Sequence, residues 1–125
     1  MIKNIFSVLL VLFFLFIVAS CEKDPEIEVK EYIYLNVDSV NTTSVFLSWT
    51  QSHSDKFQSY QVYYSKKSGF LVSSGSLYKT ITDRTITKAK VDTIFVPGQL
   101  TYFRVRLSKS DGIIFDTGEV SATPQ

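Results

Sequence analysis

The chain has 125 residues, which is room for one domain of ordinary size. It carries 13 basic and 12 acidic residues, so it lacks the basic excess that contact with nucleic-acid phosphates needs, and nucleic acid is not expected as a partner. The single cysteine, Cys21, has no partner for an intramolecular disulfide.

The first twenty residues have the pattern of an export signal. Lys3 gives a positive start, and the run from 5 to 19 is apolar apart from Ser7. This run is shorter than the roughly 20 residues of a membrane-spanning helix, and its length is typical of the apolar region of a secretory signal. A buried core helix, the alternative, would carry a polar face, which this stretch lacks. The sequence therefore predicts a signal peptide over residues 1–20.

The segment Val18-Ala19-Ser20-Cys21 resembles the lipobox of bacterial lipoproteins, in which an aliphatic and two small residues precede a lipidated cysteine. The resemblance implies diacylglycerol on Cys21, cleavage before it, and a stable membrane anchor, because several acyl chains on one residue hold a protein at a membrane. A structural or redox thiol is the alternative. The implied location is the cell envelope, as an outer-membrane lipoprotein, with surface or periplasmic orientation left open.

Residues 21–30 predict a flexible tether that follows the lipidated cysteine. The stretch "EKDPEIEVK" is charged, contains Pro25 and has no sustained apolar period. Its acid-rich start resembles the surface-export signals that follow the cysteine in some Gram-negative lineages, although an ordinary solvated linker fits the same residues. Removing Lys3 with the signal leaves 12 basic against 12 acidic residues, so the mature chain is neutral.

From Tyr32 onward, apolar and polar residues alternate in short runs separated by turn residues, which is typical of half-buried β-strands. Three early runs place apolar side chains on one face: Ile33, Leu35 and Val37; Val45, Leu47 and Trp49; Tyr60, Val62 and Tyr64. Later strands are predicted from 77 to 82, 85 to 96, 102 to 108 and 114 to 123, with corners at Pro97-Gly98 and Asp111-Gly112. The prediction is an all-β fold, a seven-stranded antiparallel β-sandwich in one domain over residues 31–125.

These strands resemble a fibronectin type III domain, an immunoglobulin-like sandwich, over residues 31–124. The resemblance rests on "TTSVFLSW" with Trp49 in the second strand, "SYQVYYS" in the third, "FVPGQLTYFRVRL" for the sixth and "VSATP" at the end. Immunoglobulin domains instead place a tryptophan on the third strand beside a disulfide, which a lone Cys21 outside the domain excludes.

The sequence departs from the family at its tyrosine corner. Phe95 and Pro97 occupy two of the corner positions, but Thr101 stands where the tyrosine belongs. Tyr102 would reach that position only through a bulge, because one step along a strand turns a side chain to the other face. The unshifted register predicts three inward and three outward side chains: Phe103, Val105 and Leu107, and Tyr102, Arg104 and Arg106.

The sequence predicts no catalytic residue, no metal site and no cofactor. The single histidine, His53, is expected to be solvated in the loop "QSHSDK", without a second histidine or cysteine to complete a metal site. The acidic residues at 24, 26 and 28 lie in the tether, where nothing holds them in a productive geometry. Some members of the family carry an integrin-binding Arg-Gly-Asp where this chain has Lys109-Ser110-Asp111-Gly112. Serine precedes the aspartate in this chain, so that function does not transfer.

Two short patterns indicate candidate modification sites. Asp38-Ser39-Val40 and Asp92-Thr93-Ile94 resemble the Asp-(Ser/Thr)-aliphatic pattern that receives O-linked glycans on exported proteins of some Gram-negative bacteria. The resemblance implies glycans on Ser39 and Thr93. Three-residue patterns also occur by chance.

A candidate binding surface follows from the outward side chains of the sixth strand, which would lie beside Tyr63 and Gln61 of the third. We call four of these residues the strip: Tyr63, Tyr102, Arg104 and Arg106. Tyrosine and arginine are favoured in binding hot spots. Ordinary cross-strand pairing on a solvated sheet face is the alternative.

Together the patterns predict a non-enzymatic, lipid-anchored envelope protein that presents one fibronectin type III-like module for binding an extracellular or envelope protein, or a glycan. The alternative is a structural spacer or an accessory subunit of an envelope complex. A hydrolase is the least favoured class, because no nucleophile is paired with a base. The ligand, the oligomeric state and membership of a larger multidomain chain stay open.

Overall fold

The computed structural model describes residues 31–96 and 98–125. The signal peptide over 1–20 and the tether over 21–30, with the lipidation site Cys21, lie outside the described residues. Glu31–Gln125 form one compact unit, which contains the hydrophobic core described below.

Two antiparallel sheets build the domain. In chain order the strands are β1 (Leu35–Val40), β2 (Ser44–Trp49), β3 (Phe57–Ser65), β4 (Ser76–Ile81), β5 (Lys88–Asp92), β6 (Thr101–Lys109), β7 (Ile114–Asp116) and β8 (Val120–Ala122). The smaller sheet has the order β1-β2-β5, and the larger has the order β4-β3-β6, with β7 and β8 both on the other edge of β6. One 3-10 turn, Val72–Ser74, lies between β3 and β4.

The described residues contain eight strands, so the predicted count of seven was wrong. The predicted last strand, 114 to 123, is broken because its register against β6 shifts by one residue between the pairs Arg106↔Asp116 and Phe103↔Val120. At the break, the Thr117 hydroxyl accepts a hydrogen bond from the Val105 N–H at 3.0 Å. A side chain thus replaces a backbone carbonyl in the ladder, as in a β-bulge. The predicted strand from 85 to 96 is also shorter, at Lys88–Asp92.

The core lies between the sheets and is built by strict alternation along the strands. Along β6, Thr101, Phe103, Val105 and Leu107 are buried and the residues between them are half-buried, as the unshifted register predicts. Trp49 is 4% exposed, and its ring lies edge-on to Tyr60 with the centroids 5.5 Å apart.

The ammonium of Lys66 makes a link to the backbone of the kind that the missing corner tyrosine would make. Thr101 is fully buried, and its hydroxyl accepts a hydrogen bond from the Lys66 ammonium at 2.6 Å. The same ammonium donates to the Ile94 carbonyl at 3.4 Å and lies 5.6 Å from the centre of the Phe95 ring. A tyrosine corner makes this kind of link to upstream backbone with its hydroxyl. Desolvation of the ammonium lowers the pKa of Lys66.

The chain enters the domain at what we call the entry end, which carries the connections 50–56, 82–87 and 110–113. The Glu31 carboxylate accepts hydrogen bonds from the Ser52 hydroxyl, at 2.9 Å, and from the His53 N–H. It also lies 3.5 Å from the ammonium of Lys109, the last residue of β6. These three contacts, which we call the Glu31 clamp, fix the first described residue to the connection 50–56 and to the end of β6.

The opposite end of the sandwich, the far end, carries the connections 41–43 and 66–75, the segments 93–96 and 98–100, and the last residues, 123–125. Its segments are joined by backbone contacts: the Gly98 N–H donates to the Pro124 carbonyl at 2.8 Å. The Gly69 N–H donates to the Glu119 carboxylate, also at 2.8 Å. The entering chain and the end of the domain therefore lie at opposite ends of the sandwich.

Candidate binding surface

The strip lies on the outer face of the larger sheet, where β3 and β6 run side by side. Tyr63 is paired with Arg104, Gln61 with Arg106, and Ser65 with Tyr102. The sequence-predicted neighbours are thus brought together. All four strip residues are half-buried rather than exposed. Both arginines have partners within the domain.

Arg106 is held by an ion pair within the sheet. Its Nε and one terminal nitrogen donate to the two carboxylate oxygens of Asp116 on β7, at 2.7 and 3.0 Å. The hydrogen bonds from Asp116 raise the pKa of Arg106 further above its ordinary value. A two-point contact of this kind is geometrically specific. Arg106 therefore links β6 to β7.

Arg104 is covered by the connection between β3 and β4. Its guanidinium carbon lies 5.7 Å from the centre of the Phe70 ring, which is 5% exposed. One terminal nitrogen donates to the Thr117 carbonyl at 3.3 Å. Among the described residues, the Arg104 Nε is buried without a hydrogen-bond partner. This residue is therefore packed on the sheet rather than open to a ligand.

The connection 66–75 reaches across β6 because Glu119, next to β8, accepts hydrogen bonds from the Gly69 N–H and, at 3.4 Å, from the Ser68 hydroxyl. Gly75 allows Phe70 to pack there, since a Cβ at this position would lie 2.7 Å from the ring. The strand pattern of the sequence does not predict this cover. Its signal was an apolar run, Phe70-Leu71-Val72, inside a stretch of glycine and serine.

The two proposed glycan-bearing residues lie in or next to the smaller sheet. Ser39 is exposed on β1, directly after a register shift of the β1–β2 ladder. Thr93 follows β5 and is exposed, with a φ of 67°. A positive φ is strained for a β-branched residue, and its hydroxyl donates to the Asp92 carbonyl at 2.6 Å.

The loops of the entry end hold the remaining residues that the sequence analysis weighed. His53 is exposed, and its backbone N–H belongs to the Glu31 clamp. Asp111 lies 3.6 Å from the Lys56 ammonium, and Gly112 has a φ of 85°, which agrees with the predicted tight turn. Within residues 31–96 and 98–125, no group of three His, Cys, Asp or Glu residues is placed to hold a metal ion.

A shallow cleft of about 630 Å³ also opens at the entry end, between the connections 50–56 and 82–87. Its lining includes Asp55, Asp83 and Arg84. Hydrogen bonds from the hydroxyl and N–H of Thr85 lower the pKa of Asp83. The cleft is open and polar. The Arg84 carbonyl accepts a hydrogen bond at 2.9 Å from the hydroxyl of the core residue Tyr60.

No helix in the described part of the chain is both long and apolar enough to cross a membrane. No family model matches the chain, and no curated protein matches it.

Several solved structures resemble the chain. A pectate lyase, Pel3 from Pectobacterium carotovorum, is 14% identical with a TM-score of 0.62, over 76% of this chain and 27% of the lyase. The chain thus spans about a quarter of that protein. The fn3 domain of human contactin 1 is 15% identical with a TM-score of 0.58, over 82% of each chain. A Fn3-like protein from Clostridium thermocellum is 23% identical with a TM-score of 0.53, over 75% of this chain and 90% of the other. These similarities, with the two antiparallel sheets, show that the domain has a fibronectin type III-like fold.

Proposed function

We propose that this chain is a non-enzymatic lipoprotein of the cell envelope, anchored in the outer membrane through Cys21, that presents one binding module for a protein or a glycan. The observation that carries the proposal is a fibronectin type III-like domain that begins ten residues after Cys21, whose preceding residues resemble a lipobox. A module this close to a lipid is restricted to the neighbourhood of the membrane.

A non-enzymatic role is supported by the side chains available for chemistry. The chain has one histidine and one cysteine, and its single histidine is an exposed loop residue. General acid–base or nucleophilic catalysis needs a base held next to its proton donor. The pectate lyase similarity is a similarity of fold at 14% identity, and it brings no residue roles to this chain.

The second candidate is a spacer or an accessory subunit of an envelope complex. The occupation of both strip arginines favours it, since Arg106 is bound to Asp116 and Arg104 lies beneath Phe70. A guanidinium that already donates hydrogen bonds within the sheet has fewer donors available for a ligand. On this reading the strip stabilises the larger sheet, and contacts with neighbouring proteins lie elsewhere.

Lipidation is tested by replacing Cys21 with serine in the full chain. We expect the variant to lose labelling by radioactive palmitate and to leave the membrane fraction or to keep its signal peptide. Ser20→Ala, which keeps a small residue before the cysteine, is the matched control and should behave as the parent. A Cys21→Ser protein that is processed and fractionated like the parent would refute the anchor.

Cross-linking and pull-down from intact cells separate the two candidate roles. Capture of a protein or polysaccharide from outside the cell supports the binding module. Recovery in a stoichiometric complex with other envelope proteins, with no external ligand, supports the accessory role.

Glycans on Ser39 and Thr93 are a further part of the proposal, and their exposure in the domain supports it. Intact-mass measurement of the exported protein tests them. Each substitution, Ser39→Ala and Thr93→Ala, should remove one glycan mass, and an exported protein with only its peptide and lipid mass would refute both sites.

A further inference from the structure

The outer face of the smaller sheet carries a groove of about 320 Å³ that the sequence analysis did not indicate. Three residues form a row across its strands, because Ser39 of β1 is paired with Phe46 of β2 and Phe46 with Lys90 of β5. The next pair, Ser48 and Lys88, continues the same face. Phe46 is half-buried, so an aromatic ring lies in the middle of an otherwise polar sheet face.

Two lysines form one wall of the groove. Lys88 and Lys90 are two residues apart on β5 and therefore point to the same face. Both are exposed, and neither takes part in an ion pair within the described part of the chain. The Lys90 ammonium lies 5.9 Å from the centre of the Phe46 ring.

Hydrogen-bonding groups form the opposite wall. The β1–β2 register shifts between Val37 and Ser39, which takes Asp38 out of the ladder. One carboxylate oxygen of Asp38 accepts a hydrogen bond from the Ser48 hydroxyl at 2.7 Å. The carboxylate is thus held by a hydroxyl group and not by either lysine. Asp38 and Ser39 are both exposed, and both line the groove together with Phe46.

We propose that this groove binds a carboxylated sugar, the uronic acid unit of an acidic glycan. The sugar carboxylate lies between Lys88 and Lys90, the apolar face of the ring lies on Phe46, and the sugar hydroxyls donate to Asp38 and Ser39. The volume lies at the lower end of the roughly 300–1,000 Å³ of ligand sites, so the groove holds one sugar ring at a time. The inference deepens the proposed glycan-binding role and is independent of the lipid anchor.

The experiment measures binding of trigalacturonic acid to the full chain, as it is purified from the cells in detergent, by isothermal titration calorimetry, with protein whose mass shows no sugar on Ser39. We expect saturable binding that weakens as salt is added, because the lysines are exposed. The fully methyl-esterified trimer is the matched ligand control, since it keeps the rings and loses the charge. It should bind at least tenfold more weakly.

Two double variants distinguish specific binding in the groove from non-specific attraction between the anionic sugar and basic residues. Lys88→Gln with Lys90→Gln should weaken binding at least tenfold. Lys67→Gln with Lys79→Gln removes the same charge from exposed positions outside the groove and should leave Kd within twofold. Phe46→Leu, which keeps an apolar side chain, should weaken binding several-fold if the ring face is used.

The proposal is overturned if no saturable binding occurs, if the esterified trimer binds equally well, or if the two double variants weaken binding equally. A negative titration would not refute the lipid anchor, because the anchor is tested separately by labelling and fractionation of Cys21→Ser. A loss of the anchor likewise leaves the titration unchanged.

Discussion

Trp49 is a core residue that packs between the two sheets. It is 4% exposed and contacts Tyr60 of the opposite sheet, and its indole nitrogen is buried without a hydrogen-bond partner in the described part of the chain. Its contribution is therefore packing and not hydrogen bonding.

Replacing Trp49 with alanine should lower the free energy of unfolding by about 3–5 kcal/mol, because it leaves a large cavity in the core. That is a large share of the roughly 5–15 kcal/mol of an ordinary domain. Urea unfolding gives the value, and Trp49→Phe, which keeps an aromatic ring, should lose less. A loss below about 1 kcal/mol for the alanine variant would contradict the central position of this residue.

Glu31 is the residue that joins the entering chain to the domain. Partial burial alone raises the pKa of its carboxyl group. The hydrogen bonds from the His53 N–H and the Ser52 hydroxyl and the charge of Lys109 together outweigh that effect, so the pKa is lowered from 4.5. The folded state therefore favours the charged carboxylate.

The lowered pKa of Glu31 makes stability depend on pH. Its contribution is complete above the ordinary pKa and is lost as the pH falls through the lower folded-state value. Glu31→Gln should cost about 1.5 kcal/mol of unfolding free energy at pH 7, as expected for hydrogen bonds to a charged group. Urea unfolding at pH 7 and pH 3 should show the gap between parent and variant closing in acid. An equal gap at both pH values would show that the charge is not involved.

At the scale of elements, the connection 66–75 is packed as part of the sheet face. Phe70 and Val72 are 5% and 4% exposed, and both lie outside the main core between the sheets. The connection thus adds a small second core on the outer face of the larger sheet.

Gly75→Ala tests this packing, because the new Cβ would lie 2.7 Å from the Phe70 ring. We expect a loss of about 1–3 kcal/mol in unfolding free energy, as for overpacking in a core. Gly118→Ala is the matched control, since a Cβ there meets nothing within 4 Å. It should change stability by less than about 0.5 kcal/mol. Equal effects of the two changes would mean that Phe70 does not pack against Gly75.

The strip itself gives a prediction that differs from the sequence-based one. Outward residues on a solvated face should change stability by no more than about 0.5 kcal/mol. Arg104 contacts Phe70 and the Thr117 carbonyl, so Arg104→Ala should cost about 1 kcal/mol or more. Tyr102→Ala, on the same strand, is the comparison and should cost less. Unfolding curves that rank the two variants in the opposite order would place the cover over Tyr102 instead.

The sequence predicts the parts of this fold that depend on alternation. The inward and outward residues of β6, the apolar faces of β2 and β3 and the turn at Gly112 all follow from local pattern. The features it misses depend on contacts distant in sequence. Phe70 is buried because Glu119, 50 residues beyond Gly69, holds its connection, and Lys66 reaches Thr101 across 35 residues. The local pattern of apolar and polar residues carries no information about contacts between residues so far apart in the chain.

At the scale of the whole molecule, the two ends of the sandwich differ in their relation to the proposed anchor. The ten steps from Cys21 to Glu31 span at most about 35 Å of extended chain. The entry end, with the connections 50–56, 82–87 and 110–113, is the end joined to that chain.

We expect proteinase added to intact cells to remove the domain, as the acid-rich start of the tether implies for a surface lipoprotein. Neutralising Glu22, Asp24 and Glu26 together should then retain the domain inside and protect it. A periplasmic protein serves as the intactness control. Full protection of the parent protein, while a known surface protein is digested, would place the domain in the periplasm.

The separation of the two ends also has a mechanical consequence. Tension between an anchor at Glu31 and a ligand held toward the far end runs along the strands and not across them. Such tension loads the β1–β2 ladder in shear, so the five residue pairs of the ladder must break together. A force across the strands would break them one after another. The Glu31 clamp lies first along the path of the tension and passes part of the force to the connection 50–56 and to β6. A cell that drags on an attached polymer would thus stretch the module along its most resistant direction.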